Sequence, residues 1–216
     1  MLEHTTTVLN RVRQQSDSVL LFYSGGKDSI VLLDLLSKKF EKVYAVQMYF
    51  VPGLRHIQKY IEWSRMKYEN VEFKEIPHWN LTFILASGTY CSPVPDMPLK
   101  TFKDVIKKQK EETGCQFAFM GMKQADSMNR RLMLKSLELQ AISKTGNVYP
   151  LSLWKDADIH SYIRFHKLIK PITYGENKRS HGAIFNEAVF LYLEKIFRHF
   201  PLSQSILFNH YQHAEA

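Results

Sequence analysis

The fold of this chain is decided by the stretch SVLLFYSGGKDS, which runs from residue 18 to residue 29. Its first half, Ser18 to Tyr23, is a mostly apolar run that stops at two glycines, as buried parallel strands do. The following segment, Asp28 to Lys39, carries aliphatic residues at helical spacing and ends in lysines, which the dipole favours at a helix C-terminus. The stretch therefore predicts a buried strand, a tight glycine turn and a helix.

The same alternation of strand and helix continues outward from this unit. Further strands are predicted at Val43 to Phe50, Val71 to Ile76, Phe117 to Gly121 and Val148 to Leu151. Helices are predicted at Arg55 to Glu69, Leu99 to Thr113, Asp156 to His166 and Ala183 to Phe197. This order implies an α/β fold: a three-layer, doubly wound, Rossmann-like arrangement of a mainly parallel sheet, with helices at the C-terminal end of the chain.

One segment, from Leu81 to Leu99, departs from this pattern. It contains a glycine and three prolines, Gly88, Pro93, Pro95 and Pro98, and we expect an irregular loop there. Because long loops in compact domains are often functional, we expect this loop and the C-terminal helices to bind a substrate distinct from any ligand of the glycine turn.

Composition narrows the classes of protein that this chain can represent. Its 216 residues include only two cysteines, too few for a disulfide framework, a four-cysteine metal site or an iron–sulfur cluster held by this chain alone. No apolar run reaches the length of a membrane helix and no signal-peptide pattern opens the chain, so we expect a cytoplasmic protein that does not engage a membrane. The net charge of +8 favours anionic partners, or serves solubility alone.

The glycine turn carries the residue types that bind phosphate. Gly25 and Gly26 let the backbone approach an anion, and the helix that follows offers free N–H groups and a positive dipole end. Hydroxyls come from Ser24 and Ser29, and a mobile charge comes from Lys27. Asp28 is suited either to capping the helix or to holding Mg²⁺. The structural alternative, a plain tight turn, does not explain two hydroxyls and a lysine at this position.

SGGKDS resembles the PP-loop of the ATP pyrophosphatase superfamily, whose fold is described as adenine nucleotide alpha hydrolase-like. Within it the chain looks most like the phosphoadenosine-phosphosulfate (PAPS) reductase-like branch. Three later segments carry that resemblance: MGMKQADSMNRR at 120–131, YPLSLWKDADI at 149–159 and YGENKRSHG at 174–182. The resemblance implies a nucleotide-binding domain over residues 1–182, with residues 183–216 as a helical extension packed on it.

The resemblance also implies a set of site residues. Lys27, Asp28 and Ser29 are the expected catalytic residues, and Asp28 is the expected Mg²⁺ ligand. Nucleotide or phosphate contacts are expected from the loop residues and from Tyr23, Met48, Gly121, Lys123, Asp126, Ser127, Arg130, Arg131 and Arg179.

Several of these positions have structural alternatives. Asp126 and Ser127 are equally suited to capping the helix that follows them, and Arg130 and Arg131 to a solvated helix face. Trp154 is better suited to the core than to stacking on a base.

The chain departs from PAPS reductases at the nucleophile. The Glu-Cys-Gly-Leu-His motif of those enzymes is missing, and no cysteine follows Cys115. Cys115 is predicted to be buried, and Cys91 lies in the proline-rich segment. Because sulfonate reduction needs a thiol, this departure disfavours it.

The leading hypothesis is therefore an enzyme that binds ATP with Mg²⁺, adenylates an acceptor and releases pyrophosphate. A sulfonucleotide reductase that uses another thiol, and a non-catalytic nucleotide-sensing or nucleic-acid-binding module, are the alternatives. The sequence leaves open whether the acceptor is a small molecule, a nucleic acid or a protein. It also leaves open whether the chain acts as a homodimer or with a partner protein.

Overall fold

A computed structural model describes residues 1–49, 55–87, 93–94 and 96–169 of the chain. Its five strands are β1 Ser18–Phe22, β2 Lys42–Tyr49, β3 Val71–Pro77, β4 Ala118–Phe119 and β5 Asn147–Val148. Its helices over the same residues are α1 Leu2–Arg13, α2 Lys27–Ser37, α3 Arg55–Lys67, α4 Asn80–Ser87, α5 Phe102–Thr113, α6 Met128–Lys135 and α7 Asp156–Phe165. The helix predicted at Ala183 to Phe197 lies outside the described residues.

The strands form one parallel sheet in the order β3-β2-β1-β4-β5, which confirms the predicted Rossmann-like α/β fold. β1 pairs with β2 from Ser18 opposite Lys42 to Phe22 opposite Val46, and on its other side with β4. The strand order therefore reverses at β1. In open α/β sheets, ligands bind beyond the carboxyl end of the strands at such a reversal, and the segment after β1 is the glycine turn.

β1 and α2 form the centre of the core. Val19, Leu20 and Leu21 of β1 are fully buried, and so are Val31 and Leu32 of α2. Four consecutive aliphatic residues of α2 are buried, because a helix that packs on several sides is apolar on several faces. The first turn of α2 is thereby held firmly at the end of β1.

Helix α1 has no counterpart among the helices predicted from the sequence. It buries Val8, Leu9 and Val12. Thr5, also buried, donates a hydrogen bond to the Pro150 carbonyl at 2.8 Å. Thr5 thus ties α1 to the segment that leads into α7.

Helix α4 corrects the prediction of an irregular loop from Leu81 to Leu99. The helix covers Asn80–Ser87, and the backbone N–H of Asn80 donates to Nδ1 of His78 at 3.1 Å. Every glycine and proline on which the loop prediction rested lies at residue 88 or beyond, C-terminal to the helix, so none of them interrupts it. Residues 88–92 and 95 lie outside the described part.

The chain divides into two compact units. One comprises Met1–Gln47, Lys59–Lys74 and Ile106–Pro171, and the other Met48–Gln58, Glu75–Val105 and Ile172–Ala216. In the second unit, His78 N–H donates to the Tyr49 carbonyl at 2.8 Å and Gln58 donates to Glu75 at 2.8 Å. The predicted division into residues 1–182 and 183–216 stays a prediction. Within the described residues, the helices are too short or too polar to span a bilayer.

Candidate nucleotide site

The turn after β1 is shaped by its own serines and glycines. Gly25 has a φ of +69°, a left-handed conformation that glycine adopts without strain. The Ser29 hydroxyl donates to the Gly26 carbonyl at 2.9 Å and accepts from the Ser24 N–H at 3.3 Å. Gly26 is the N-cap of α2, and no side chain of the described residues caps that helix. The N–H groups of its first turn are therefore available to an anion.

Gly121, at the end of β4, allows the first turn of α2 to approach closely. A Cβ atom at this position would lie 3.0 Å from Asp28 Cβ and 3.4 Å from the Asp28 carbonyl carbon. A side chain at residue 121 would push against Asp28 in the first turn of α2. That turn follows directly on the glycine turn of residues 24–26, which we call the phosphate turn. The role that the structure shows for Gly121 is close packing, and a nucleotide contact stays a prediction.

A cluster of lysines and aspartates surrounds the start of α2. Lys123 is 1% exposed, and its Nζ lies 2.6 Å from Asp28 Oδ1, 3.0 Å from Asp126 Oδ1 and 3.5 Å from Asp156 Oδ1. Lys27, half-buried, places its Nζ 3.2 Å from Asp28 Oδ2 and 3.5 Å from Asp156 Oδ1. Each oxygen of Asp28 thus faces one ammonium group.

The environment of this cluster favours the charged forms of Lys123 and Asp126. Burial by itself lowers the pKa of Lys123, but the carboxylates of Asp28 and Asp126 raise it above its ordinary value. Burial by itself raises the pKa of Asp126. Its bonds from the backbone and side chain of Lys123, together with the charge of Arg130, bring that pKa below its ordinary value. Both groups therefore stay ionised at neutral pH.

Helix α6 begins beside this cluster. Ser127 Oγ accepts a hydrogen bond from the Arg130 N–H at 3.2 Å, so the capping interpretation of Ser127 is confirmed. Asp126 accepts from the Lys123 N–H at 2.9 Å and from Arg130 Nη1 at 2.9 Å. The Arg130 side chain is half exposed and Arg131 is exposed on α6, where solvent and a ligand can both reach them.

Of the remaining predicted residues, Tyr23 and Met48 are described by the structure. The Tyr23 ring is buried against Phe73, its hydroxyl lies 3.5 Å from Ser64 Oγ, and burial raises the pKa of Tyr23 to about 12. Met48 is half-buried near the end of β2, in the second unit. Arg179 and Cys91 lie outside the described residues.

Two predictions about core residues are confirmed. Trp154 is buried and its Nε1 donates to Thr5 Oγ1 at 2.8 Å, so its ring belongs to the core. Cys115 is 3% exposed.

Sequence reasoning missed Asp156, the first residue of α7. Its carboxylate reaches both Lys27 and Lys123. The only sequence signal was an acidic residue in the first turn of a predicted helix, which ordinarily serves the helix dipole. The proximity of residues 27, 123 and 156 depends on the order of the strands in the sheet.

Sequence reasoning also missed Asp34, a fully buried carboxylate in the middle of α2. It accepts hydrogen bonds from Tyr68 and Tyr162, both at 2.8 Å, and from Lys38 at 2.6 Å. Burial by itself raises the Asp34 pKa, but these three donors bring it below the ordinary value. Asp34 thereby links α2 to α7 and to the segment after α3.

The residues around the turn fit a nucleotide with its metal ion. Uncapped N–H groups and Lys27 suit phosphate oxygens, which take backbone donors and point charges. Mg²⁺ in phosphate sites takes one or two carboxylates, and Asp28 and Asp156 each place a carboxylate oxygen near Lys27 Nζ, at 3.2 Å and 3.5 Å.

The chain has a parallel α/β sheet with a glycine turn after its central strand, the arrangement found in PP-loop, adenine nucleotide alpha hydrolase-like proteins. The model of the phosphoadenosine phosphosulfate reductase domain matches residues 18–182. The chain therefore belongs to that family.

Among solved structures, the chain is similar to the NH3-dependent NAD synthetase from Campylobacter jejuni subsp. jejuni NCTC 11168, in complex with the nitrate ion. The match has a TM-score of 0.51 and 16% identity, and covers 99% of this chain and 94% of that one. At this identity the likeness concerns the fold alone. No curated protein matches the chain in sequence.

Proposed function

We propose that this protein binds ATP at the turn after β1 and adenylates an acceptor with release of pyrophosphate. The observation that carries the proposal is the start of α2, where uncapped N–H groups lie beside Lys27 at the strand-order reversal. A polyphosphate finds backbone donors, a dipole and a mobile charge there.

The proposed roles follow from where each group lies. Backbone N–H groups of the first turn of α2, Lys27 to Ser29, bind the phosphates and fix their orientation, which is most of what phosphoryl and nucleotidyl transfer require. Lys27 stabilises the negative charge that builds on the departing pyrophosphate. Asp28 and Asp156 are the proposed ligands for Mg²⁺, which neutralises phosphate charge when bound. Arg130 is the proposed contact on the far side of the phosphates.

A sulfonucleotide reductase is the second candidate, because the family that the chain belongs to takes its name from that reaction. Its chemistry needs an accessible thiolate. Of the two cysteines in the sequence, Cys115 is buried, so Cys91 or a partner's thiol would have to supply the nucleophile.

The first experiment incubates the purified full-length chain with ATP and Mg²⁺ in the presence of candidate acceptors, and in a parallel reaction with PAPS and a dithiol. Pyrophosphate from the first reaction, released at least about 100-fold more slowly by a Lys27→Ala variant, supports adenylation. Sulfite from the second reaction, without pyrophosphate from the first, would show that the protein reduces a sulfonucleotide and does not adenylate an acceptor. A protein that binds ATP but forms neither product is a sensing module.

A further inference from the structure

Lys123 is a buried lysine whose ammonium group is surrounded by carboxylates in place of water. Its nearest oxygens come from three separate segments: Asp28 on α2, Asp126 before α6 and Asp156 on α7. A buried charge is retained only when it is paired and hydrogen-bonded, and here all three partners are anionic. Three carboxylates converging on one point are the ligand set that proteins otherwise offer to a hard divalent ion.

The backbone around Lys123 holds the ammonium group in this position. The Lys123 N–H and its Nζ both bond to Asp126, at 2.9 Å and 3.0 Å, and Asp126 is held in turn by Arg130. The next residue, Gln124, donates its N–H to the Ser152 carbonyl at 2.8 Å. A side chain enclosed at its base and at its tip does not swing out to a ligand without breaking these bonds.

We propose that Lys123 is a positioning residue that acts as a built-in cation: its ammonium group joins Asp28, Asp126 and Asp156 and so fixes the Asp28 carboxylate beside the phosphate turn, leaving Asp28 Oδ2 for the Mg²⁺ that would accompany the nucleotide. This role replaces the direct phosphate contact that the sequence predicts for Lys123. Because Lys123 occupies Oδ1 of Asp28, only Oδ2 faces Lys27 and the proposed nucleotide.

The main test measures Mn²⁺ binding to the nucleotide-free full-length chain by electron paramagnetic resonance, alongside melting temperature with and without Mn²⁺. Lys123→Met keeps an unbranched apolar side chain and removes the charge. We expect this variant to bind Mn²⁺ at least about tenfold more tightly than the unsubstituted chain, and to regain melting temperature when Mn²⁺ is added. Adding Asp126→Asn should reverse the gain, because one of the three carboxylates is then lost.

Lys110→Met is the matched control. Lys110 Nζ donates to the Thr145 carbonyl just before β5, at the amino end of the parallel strands, whereas the phosphate turn follows the carboxyl end of β1. We expect this variant to lose stability without gaining a response to Mn²⁺. If Lys123→Met binds Mn²⁺ no better than the unsubstituted chain does, the proposal is wrong.

A second measurement does not depend on whether Lys123→Met folds. In nitrogen-15 spectra of the unsubstituted chain, the ammonium group of Lys123 should give a slowly exchanging signal, assigned by its loss in Lys123→Arg. The signal should stay in place when a non-hydrolysable ATP analogue is added, whereas a large displacement would show a phosphate contact and overturn the proposal.

The inference rests on the proposed function only in taking Asp28 to face the nucleotide. The Mn²⁺ measurement uses no nucleotide, so its failure is separate from a failure of adenylation. If adenylation holds, Lys123→Met should also slow pyrophosphate release by about 10- to 100-fold, the usual effect of losing a supporting partner, with a smaller change in ATP affinity.

Discussion

Lys27 and Lys123 carry the same charge in the same cluster and are suited to different work. The Lys27 side chain is 25% exposed and its contacts to Asp28 and Asp156 are 3.2 Å and 3.5 Å, so it can exchange them for phosphate oxygens. Lys123 is enclosed by shorter contacts. The greater exposure and longer contacts of Lys27 allow its ammonium group to move toward a developing negative charge, whereas the buried Lys123 holds the Asp28 carboxylate in place.

Replacing Lys27 with alanine should slow pyrophosphate release by ~10²–10³-fold, similar to losing one oxyanion donor. The charge on the bridging oxygen grows as the bond breaks, so the lysine acts mostly in the transition state. ATP affinity should fall less, since the N–H groups of α2 remain. Single-turnover rates and the ATP dissociation constant are measured together, with Lys39→Ala, a half-buried lysine just after the C-terminus of α2, as the control. Equal losses in rate and affinity would indicate uniform binding and favour a sensing module.

Replacing Gly121 with alanine should weaken ATP binding through packing alone. The new Cβ would lie 3.0 Å from Asp28 Cβ, and relieving that contact displaces the first turn of α2 at a cost of about 1–3 kcal/mol in unfolding free energy. Gly114→Ala is the matched control. It has a φ of +70° with no atom within 4 Å of an added Cβ, so it costs about 1–2 kcal/mol by backbone strain without touching the site.

Urea unfolding and ATP titration distinguish the two glycine variants. Both should lose stability, and only Gly121→Ala should lose ATP affinity. Unchanged affinity in Gly121→Ala would mean that the exact placement of the first turn does not matter for binding.

At the scale of elements, α2 is anchored at two points, its N-terminal turn and its middle. The turn at its N-terminus is held by Ser29 and by close packing on Gly121, while Asp34 holds its middle through Tyr68, Tyr162 and Lys38. A helix that must keep its N–H groups aimed at an anion benefits from such fixation, because catalysis by positioning tolerates little displacement.

Replacing Asp34 with asparagine should cost about 1–3 kcal/mol at pH 7, the usual penalty for leaving buried partners unsatisfied. The folded-state pKa of Asp34 lies below its ordinary value, so its charge stabilises the fold fully above the unfolded pKa of about 3.9. That stabilisation is lost as pH falls through the lower folded pKa. The gap between the two proteins should therefore close only below about pH 4.

Urea unfolding at several pH values measures this gap. Asp17→Asn serves as the control, since Asp17 is largely exposed and its carboxylate pairs with Arg13 on the surface, a kind of pair worth about 0–1 kcal/mol. A gap for Asp34→Asn that stays constant down to pH 3 would show that its hydrogen bonds matter and its charge does not.

How far the sequence predicts this molecule differs between elements. The strand, turn and helix of residues 18–37 could be predicted because apolar run, glycine pair and helical spacing are all local signals. Helix α4 was not predicted because the glycine and prolines that follow it in the sequence favoured a loop for the whole segment from Leu81 to Leu99. The links from Asp28 to Lys123 and from Lys123 to Asp156 join residues far apart in sequence, and only the strand order brings them together.

For the whole molecule, the charge of the site differs from the charge of the chain. The cluster contains three cations, Lys27, Lys123 and Arg130, and three carboxylates, which cancel formally, whereas the chain carries +8. If the protein binds a nucleotide as proposed, the long-range attraction of the polyanion therefore comes from the rest of the surface, and its final placement from the α2 N–H groups. Attraction of this kind weakens with salt, whereas the backbone contacts are affected less.

The choice between adenylation and sulfonate reduction depends on the thiols of the whole chain. The sequence contains Cys91 and Cys115 and no others, so one double variant, with both replaced by serine, removes every nucleophile that reduction by this chain could use. We expect this variant to bind ATP and release pyrophosphate at rates within about twofold of the unsubstituted chain, because no thiol lies among the residues placed at the phosphate turn. Some stability should be lost, since the buried Cys115 is replaced by a more polar side chain, and Cys115→Ala alone measures that contribution. The deciding comparison is sulfite formation from PAPS with a dithiol. If the unsubstituted chain forms sulfite and the double variant does not, reduction is the native reaction and the ranking of the two functions is reversed.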